Sequence, residues 1–346
     1  MHLIGLGAAG SSLVEALATF ERLPGEVVIS DPAPESIRDK GYGFWCRTDD
    51  LNRFKPDSVW NAWSFSSMGE RVTHTGREFL YGYRSGQSIF ENVASILSTH
   101  PQIHLVKEAV CQSPNADFVF DSRPVSPERY VVNQAFYGLF IKTNAPHPFN
   151  SVQLMEDLNS DGRGVNFRYL LPFDDTHLLI EHTEFTGEVP DFQSLKSKVL
   201  TWCETHIGSD YEVLKVEQAN IPMGLTGSQP SLGTPIGVRG GRMRDSSGYS
   251  YYYAINDAYR IAHSLVRGGE NYSLEPNYAQ SWMDAKLLWL IRRRPERLPK
   301  IFLSLARRMT DDRFASFMSQ NTPSDSLRAI MASPKLPFLR SVLGDL

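Results

Sequence analysis

Three glycines near the start of the chain, Gly5, Gly7 and Gly10, have the spacing G-x-G-x-x-G. Between a strand and a helix, such a turn lets a pyrophosphate approach the backbone, where free N–H groups and the positive end of the helix dipole bind it. Asp31 follows Gly10 by twenty-one residues and ends the next apolar stretch, where a carboxylate that binds a ribose hydroxyl belongs. The spacing therefore predicts a dinucleotide-binding site.

A second glycine-rich stretch lies far along the chain, between residues 233 and 262. It contains Gly237, Gly240 and Gly241, and then Gly248-Tyr249-Ser250 directly before a helical pattern. A long two-part cofactor needs two such elements, since FAD presents a pyrophosphate to one and a ribityl-flavin to the other. The two turns together therefore favour FAD over NAD alone.

The surrounding pattern supplies the elements that would position the first turn. Four short apolar stretches predict strands and two stretches have helical periodicity: 2–4, 26–30, 103–106 and 118–123 for the strands, and 11–21 and 88–99 for the helices. Strands that alternate with helices indicate an α/β fold with a parallel sheet. The last strand ends in Asp121-Ser122-Arg123, at the edge where ligands bind such sheets.

The middle of the chain has a different periodicity. Residues 136–142, 165–171 and 177–184 alternate or are apolar over short stretches, which predicts antiparallel strands, and 199–207 predicts a helix. Residues 34–60 combine aromatic residues with glycines. We expect them to form a loop that lines a pocket rather than a regular strand, the alternative being a loop packed on the core.

The composition excludes several classes of protein. The 346 residues are 41% hydrophobic and 21% charged with a net charge of −4, so no overall positive field favours nucleic acid. The three cysteines form no C-x-x-C and no zinc spacing, which indicates a reducing compartment and no metal site. No run of about eighteen apolar residues could span a membrane. We expect no signal peptide, because the chain begins in the nucleotide-binding strand.

The segment 286–308 is strongly basic. It carries eight lysines and arginines against the single acidic residue Glu296, interleaved with leucine, isoleucine and tryptophan, and Pro295 and Pro299 divide it into two short helices. A basic amphipathic element in an acidic chain fits contact with a membrane surface. The alternative is a helical segment that packs on the core and exposes a basic face.

In their order and spacing, stretches along most of the chain resemble the lycopene cyclases, FAD-binding enzymes that close the ends of linear carotenoids. Besides the first turn with Asp31, the similar stretches are 41–45, 121–123, 134–138, 155–157, 167–173, 179–183 (L-I-E-H-T, similar to F-L-E-E-T), 221–223 and 237–250. Gly240 and Asp245 stand where the family has alanine and proline. A relative that acts on another polyene or terpenoid therefore remains an alternative.

The resemblance implies an α/β fold with a Rossmann-like FAD-binding domain of the glutathione reductase and hydroxybenzoate hydroxylase type, formed by 1–130 and 215–265. Residues 131–214 would form an inserted antiparallel sheet that binds substrate, and 266–346 a C-terminal helical region that includes the basic segment. The residues predicted to bind the cofactor are Gly5, Gly7, Ala8, Ala9, Gly10, Asp31, Arg123, Gly237, Gly248, Tyr249 and Ser250.

The reaction that the resemblance implies consumes no electrons. A carboxylic acid protonates the terminal double bond, the next double bond captures the cation, and loss of a proton leaves a ring. The acid is predicted to be Glu181, which matches the family's glutamate and follows the apolar run 178–180, where burial would keep it protonated. A strand-edge glutamate in a salt bridge is the alternative. His182 and Glu184 are weaker candidates on the opposite face of the strand.

The resemblance also implies the ligands. Reduced FAD, with NAD(P)H as its expected reductant, would stabilise the cationic transition state, and Phe44, Trp45, Trp60 and Phe136, with Tyr249, are predicted to line the substrate site. The expected partners are a hydrophobic polyene or isoprenoid and a membrane surface, without nucleic acid. The expected location is cytoplasmic, peripheral at the inner face of the membrane. Two other hypotheses remain, namely an NAD(P)H-consuming flavin monooxygenase or reductase and a non-catalytic nucleotide-binding membrane protein.

Overall fold

The computed structural model describes residues 1–125, 130–224, 230–269, 278–320 and 322–332. The strands are, in chain order, β1 (His2–Ile4), β2 (Val27–Ser30), β3 (Gly41–Arg47), β4 (Ser58–Trp60), β5 (Ala62–Ser67), β6 (Glu70–Thr75), β7 (Phe79–Ser85), β8 (Ile103–Val106), β9 (Val119–Asp121), β10 (Val132–Thr143), β11 (Val152–Ser160), β12 (Gly164–Pro172), β13 (His177–Thr186), β14 (Tyr211–Met223) and β15 (Thr234–Pro235). The α-helices are α1 (Ala8–Leu17), α2 (Leu51–Phe54), α3 (Gly86–Thr99), α4 (Phe192–His206), α5 (Tyr251–Val266), α6 (Tyr278–Arg293), α7 (Leu298–Arg308), α8 (Asp312–Ser319) and α9 (Pro323–Ala332).

The first unit is a parallel sheet with the strand order β15-β9-β1-β2-β8. Its strands confirm the four predicted from apolar stretches, and α3 confirms the helix predicted at 88–99. The helix predicted at 11–21 instead begins at Ala8 and ends at Leu17, because it starts directly at the glycine turn. Leu3 and Ile29 of the sheet pack with Leu13 of α1 and Ile255 of α5 in one core, so helices shield the strands as parallel sheets require.

The second unit is a seven-stranded sheet with the order β14-β10-β13-β12-β11-β5-β6. The pairs β14-β10, β10-β13, β13-β12 and β12-β11 are antiparallel, as predicted for the middle of the chain. One face packs on α4, where Leu178 and Ile180 contact a cluster that includes Leu195 and Val199. The helix predicted at 199–207 is the second half of α4.

The sheet extends beyond the predicted limits of 131–214. β14 continues to Met223 along β10, and β5 and β6, from 62–75, join through a parallel pairing of β5 with β11. These pairings connect segments that lie far apart in the sequence, so no local pattern could reveal them. The division of the chain into the predicted domains stays a prediction, while the sheet itself includes residues from both sides of the predicted boundaries.

The expectation of a loop at 34–60 is wrong for part of that stretch. Residues Gly41–Arg47 form β3, which pairs with β7, and β4 pairs with the other edge of β7 in a three-stranded sheet. The aromatic residues of β3 alternate between two cores, with Phe44 in the core of the parallel unit and Trp45 in the cluster beside the seven-stranded sheet. Glycines weaken the strand pattern in this stretch, and the partner β7 lies some forty residues further on.

The basic segment forms two helices, α6 and α7, joined at Pro295 as predicted. Its apolar residues pack inside the protein, since Leu288, Ile291 and Ile301 are buried in one cluster, whereas Arg292, Arg293 and Arg294 are exposed. Of the predicted C-terminal region 266–346, residues 270–277, 321 and 333–346 lie outside the described residues. Among the residues that the structure describes, no helix combines the length and the apolar character needed to cross a bilayer.

Candidate active site

The dinucleotide turn has the geometry that its three glycines predicted. Gly5 has φ +92°, a conformation that glycine adopts readily. A Cβ on Gly10 would lie 2.1 Å from the Gly5 carbonyl oxygen, whereas a Cβ on Gly7 would meet no protein atom within 4 Å among the described residues. The Leu6 N–H donates to Asp31 Oδ2 at 2.6 Å. Gly10 therefore allows close packing of α1 on the turn, while Gly7 faces the space that a pyrophosphate would need.

The second glycine-rich stretch packs directly on the first turn. Gly237 has φ +60°, and a Cβ there would lie 2.5 Å from the Ala9 Cβ at the start of α1. Thirteen residues later, Ser250 directly precedes α5, and Gly248, Tyr249 and Ser250 line a large cavity. The stretch therefore leads from the pyrophosphate turn to the cavity, as expected for a two-part cofactor.

Arg123 is held by its neighbours at the end of β9. Its guanidinium donates to both carboxylate oxygens of Asp121, at 2.9 and 2.7 Å, and Arg239 makes a further ion pair with Asp121 at 3.6 Å. Arg123 thus stands beside the turn, where Ser122 Oγ donates to the Gly5 carbonyl. Its predicted contact with the cofactor stays a prediction.

The described residues fit a flavin at the inner end of this path. Gln134 Oε1 is buried, has no hydrogen-bond partner within the described part of the chain, and would lie 2.8 Å from a Cβ on Gly248. Gln134 and Trp45 both line the cavity, and Trp45 Nε1 is likewise a buried donor without a partner there. Buried polar atoms are costly to leave unpaired, and the N–H and carbonyl groups of an isoalloxazine could pair with them.

The cavity has a volume of about 840 Å³. The seven-stranded sheet forms one wall with Phe136, Phe167 and Leu179. Aromatic residues of β3, β7 and the second glycine-rich stretch form another, in which Trp45 lies 5.0 Å from Tyr81 and 5.4 Å from Tyr249 between ring centroids. Residues of α6 to α9 close the remaining side. The site is therefore large and mostly apolar, which suits a hydrophobic ligand.

Four residues form a row across the cavity face of the sheet. Tyr169 of β12 pairs with Glu181 of β13, Glu181 pairs with Gly138 of β10, and Gly138 pairs with Glu217 of β14. Residues in one row of a sheet point to the same face, and Tyr169, Glu181 and Glu217 all line the cavity. The row thus presents two carboxyl groups to an apolar cavity, on either side of a glycine.

Glu181 has the environment of an acid rather than of an ion-pair partner. It keeps some accessible surface because it lines the cavity, yet burial, followed by the negative charge of Glu217, raises its pKa well above the usual range. Within the described residues it takes part in no ion pair. The described residues therefore do not support the alternative of a salt-bridged strand-edge glutamate, and burial favours the neutral form of the Glu181 carboxyl.

Tyr169, the neighbour of Glu181 in this row, belongs to a chain of three tyrosine hydroxyls. Tyr81 Oη is 2.8 Å from Tyr169 Oη and 3.4 Å from Tyr249 Oη. Burial raises the pKa of all three phenols well above their usual value, so they remain neutral. A neutral phenol orients hydrogen bonds and presents a π face without adding charge.

His182 and Glu184 lie on the opposite face of β13, as strand alternation predicted. Glu184 Oε1 accepts from Lys198 of α4 and lies 3.2 Å from His182 Nε2. The hydrogen bond with His182, together with Lys198, lowers the pKa of Glu184 to about 2. Glu184 is therefore an ionised partner in a salt bridge outside the cavity.

Two of the four residues predicted to contact substrate lie elsewhere. Trp45 and Phe136 line the cavity, as does Tyr249. Phe44 is fully buried in the core of the parallel unit, because alternation along β3 turns it away from Trp45. Trp60 Nε1 donates to the Pro172 carbonyl at 2.9 Å, and the residue packs beside the cluster rather than on the cavity.

Sequence reasoning missed Tyr81, Tyr169 and Glu217. Tyr169 lies inside the stretch 167–173 that carried the resemblance, and its place two residues from Phe167 on a predicted strand would have put it on the same face. Glu217 lies on β14, which was not predicted as a strand. Its position depends on the long-range pairing with β10.

Several solved structures with this fold are of flavin- or FAD-dependent halogenases and monooxygenases. A geranylgeranyl bacteriochlorophyll reductase-like protein from Thermoplasma acidophilum has a TM-score of 0.58 at 11% identity, covering 99% of this chain and 98% of its own. A tryptophan halogenase from Shewanella frigidimarina has a TM-score of 0.60 at 11% identity, covering 99% and 92%. The fold is therefore the FAD-binding Rossmann-type fold of FAD-dependent halogenases and monooxygenases.

The sequence profile described as "Lycopene cyclase protein" matches residues 1–343. The chain belongs to the lycopene cyclase family. Two relatives named lycopene beta-cyclase, from Paracoccus sp. (strain N81106 / MBIC 01143) and Pantoea ananas, are 28% identical over 156 residues and 27% identical over 135 residues. These alignments cover 42% and 37% of this chain, and 40% and 35% of the relatives, so the chain matches less than half the length of either.

Proposed function

We propose that this enzyme catalyses the redox-neutral, acid-catalysed cyclisation of the ends of a linear carotenoid, of the lycopene to β-carotene type, with bound FAD in its reduced form and NAD(P)H as the reductant. The observation that carries the proposal is the position of the Glu181 carboxyl in a large apolar cavity, where burial raises its pKa. The family and the two relatives named lycopene beta-cyclase support the same chemistry.

In the proposed reaction, the carboxyl of Glu181 gives its proton to the terminal double bond of the polyene. An alkene is a poor base, so the donor must be an acid that remains protonated at working pH, which burial in an apolar site provides. Trp45, Tyr81 and Tyr249 line the same cavity as Glu181, and their π systems would stabilise the carbocation. Reduced FAD would add a fixed electron-rich plane that stabilises the same charge.

Substitution of Glu181 by glutamine tests the proposal. Glu181→Gln keeps shape and polarity but removes the acidic proton, so we expect the variant to fold and bind FAD while losing nearly all cyclisation. Glu181→Asp should retain little activity because the carboxyl moves back by about one methylene. Glu184→Gln is the matched control, since it changes a glutamate of the same strand outside the cavity. Cyclisation by Glu181→Gln at close to the wild-type rate would place the acid elsewhere.

Attachment at the inner face of the membrane is part of the same proposal, because a carotenoid dissolves in lipid rather than in water. Trp282, Ile330 and Met331 line the cavity and are also exposed, at 48%, 49% and 58%. They form an apolar rim between α6 and α9, and Arg292–Arg294 lie exposed at the end of α6. An apolar opening at one end of α6 and exposed basic residues at the other end suit a substrate that enters from an anionic bilayer. Nucleic acid is not among the proposed partners.

A further inference from the structure

The proposed reaction requires a proton acceptor as well as an acid, and the row across the sheet contains a second carboxyl. Glu217 is 8% exposed and lines the same cavity as Glu181. The two glutamates are separated by one strand, β10, at the position of Gly138. Since neighbouring strands lie about 4.8 Å apart, their Cα atoms are about 10 Å apart, which two glutamate side chains can span.

Gly138 leaves the space between the two carboxyls open. A Cβ at this position would lie 2.7 Å from Glu181 Cγ and 3.3 Å from Glu181 Oε1. The side chain of Glu181 therefore lies over the glycine, towards β14. Any larger residue at 138 would displace it and stand between the two carboxyl groups.

The two glutamates differ in the neighbouring groups that favour their ionised form. Glu217 Oε1 accepts a hydrogen bond from the Gly41 N–H at 3.1 Å, and Lys215 of the same strand and Lys40 also favour its ionised form. Asp39 opposes it, and burial raises its pKa overall. Among the described residues, Glu181 has no such donors. These contacts favour the ionised form of Glu217 over that of Glu181, so a proton shared by the two carboxyls would lie on Glu181.

We propose that Glu217 is the proton acceptor that completes the ring, an inference that rests on the proposed cyclisation. The O–H bond of Glu181 breaks as a C–H bond forms on the terminal alkene, and the next double bond closes the ring. A C–H bond beside the new cationic carbon then breaks, its electron pair becomes the ring double bond, and its proton passes to Glu217. Transfer of that proton across Gly138 to Glu181 restores the starting protonation of the two carboxyls. No electron is gained or lost.

The test compares wild-type protein, Glu217→Gln and Glu212→Gln with lycopene and reduced FAD without oxygen. Glu212 lies on the same strand, is exposed and does not line the cavity, so its variant should form the wild-type ring at the wild-type rate. The cationic carbon has three neighbours that bear hydrogen, so loss of the positioned base should change which of them is deprotonated. We expect Glu217→Gln to give an altered ratio of double-bond isomers or a water-trapped alcohol.

If Glu217→Gln loses turnover altogether, chemical rescue by a small carboxylate shows whether the missing group is a base. Glu217→Gly opens space for a small carboxylate, so added formate or acetate should restore ring formation if a base is missing. Unchanged products at an unchanged rate, or a loss that no carboxylate rescues, would overturn the role of Glu217. If wild type and Glu212→Gln form no ring, the cyclisation itself fails instead.

A titration gives a second readout that needs no turnover. With ¹³C-labelled glutamate carboxyls, the wild-type pair should titrate in two linked steps, and Glu217→Gln should leave Glu181 with one step at lower pH, because the neighbouring charge is gone. An unchanged titration of Glu181 would contradict a shared proton.

Discussion

Two glutamates three residues apart on β13 have opposite electrostatic environments. Glu181 faces an apolar cavity, where burial raises its pKa, and Glu184 faces Lys198 and His182, which lower its pKa. The period of two in a strand separates them. The strand thus presents a carboxyl with a raised pKa on one face and an ion pair on the other.

The ion pair of Glu184 should make stability depend on pH. Its folded-state pKa of about 2 lies below the ordinary value of 4.5, so its contribution is complete above the unfolded pKa and is lost as the pH falls through 2. We expect Glu184→Gln to lower the free energy of unfolding by about 1–3 kcal/mol at pH 7. Urea unfolding from pH 7 to pH 3 should show this difference shrinking, and a constant difference would contradict the assignment.

At the scale of elements, two glycines of the turn between β1 and α1 have different surroundings. Gly7 has φ −73° and open space where a Cβ would stand, whereas a Cβ on Gly10 would collide with the Gly5 carbonyl. The two glycines should therefore respond differently to substitution, although both belong to the same motif.

We expect Gly7→Val to fold normally and to lose FAD, since its side chain would occupy the place of the pyrophosphate. Gly10→Ala should lose stability and FAD together. Gly25→Val is the control, because a Cβ at Gly25 also meets no described atom within 4 Å and lies away from the turn. Flavin absorbance after gel filtration and a thermal melt measure both effects. A Gly7→Val protein that keeps FAD would place the pyrophosphate elsewhere.

The exposed arginines at the end of α6 should govern attachment to anionic membranes. Changing Arg292, Arg293 and Arg294 to glutamine should weaken binding to phosphatidylserine-containing vesicles by about 1 kcal/mol per charge. A control with the exposed residues Arg22, Arg77 and Lys196 changed to glutamine removes the same charge elsewhere. Vesicle sedimentation at low and high salt measures the effect. If both variants bind the vesicles equally well, the basic segment contributes to packing and not to membrane attachment.

At the scale of the whole molecule, local sequence patterns predicted those structural features that are determined by residues close together in the sequence. The glycine spacing, the strands of the parallel sheet and the face of β13 that carries Glu181 all follow from short-range periodicity. Glu217 and the strand at Gly41–Arg47 were missed because their positions depend on pairing with β10 and β7, which lie far away in the sequence. Phe44 was misplaced because β3 was not predicted as a strand, and alternation along β3 places it in a different core from Trp45.

The fold positions the site by bringing three distant segments to one cavity. The second glycine-rich stretch reaches it from the dinucleotide turn, the seven-stranded sheet supplies the two carboxyls, and α6 to α9 close it. An FAD-binding fold can serve oxidation as well as redox-neutral chemistry. The proposed cyclase is therefore distinguished from a monooxygenase or reductase by whether the reaction consumes electrons from NAD(P)H.

The most direct test is an anaerobic reaction of the purified protein with lycopene and FAD that has been reduced once. We predict products of the same mass as lycopene that contain one or two rings, formed over many turnovers without further consumption of NAD(P)H. Glu181→Gln should bind FAD and form none. A product heavier by oxygen or hydrogen, or NAD(P)H consumed in step with product, would contradict the proposed cyclisation.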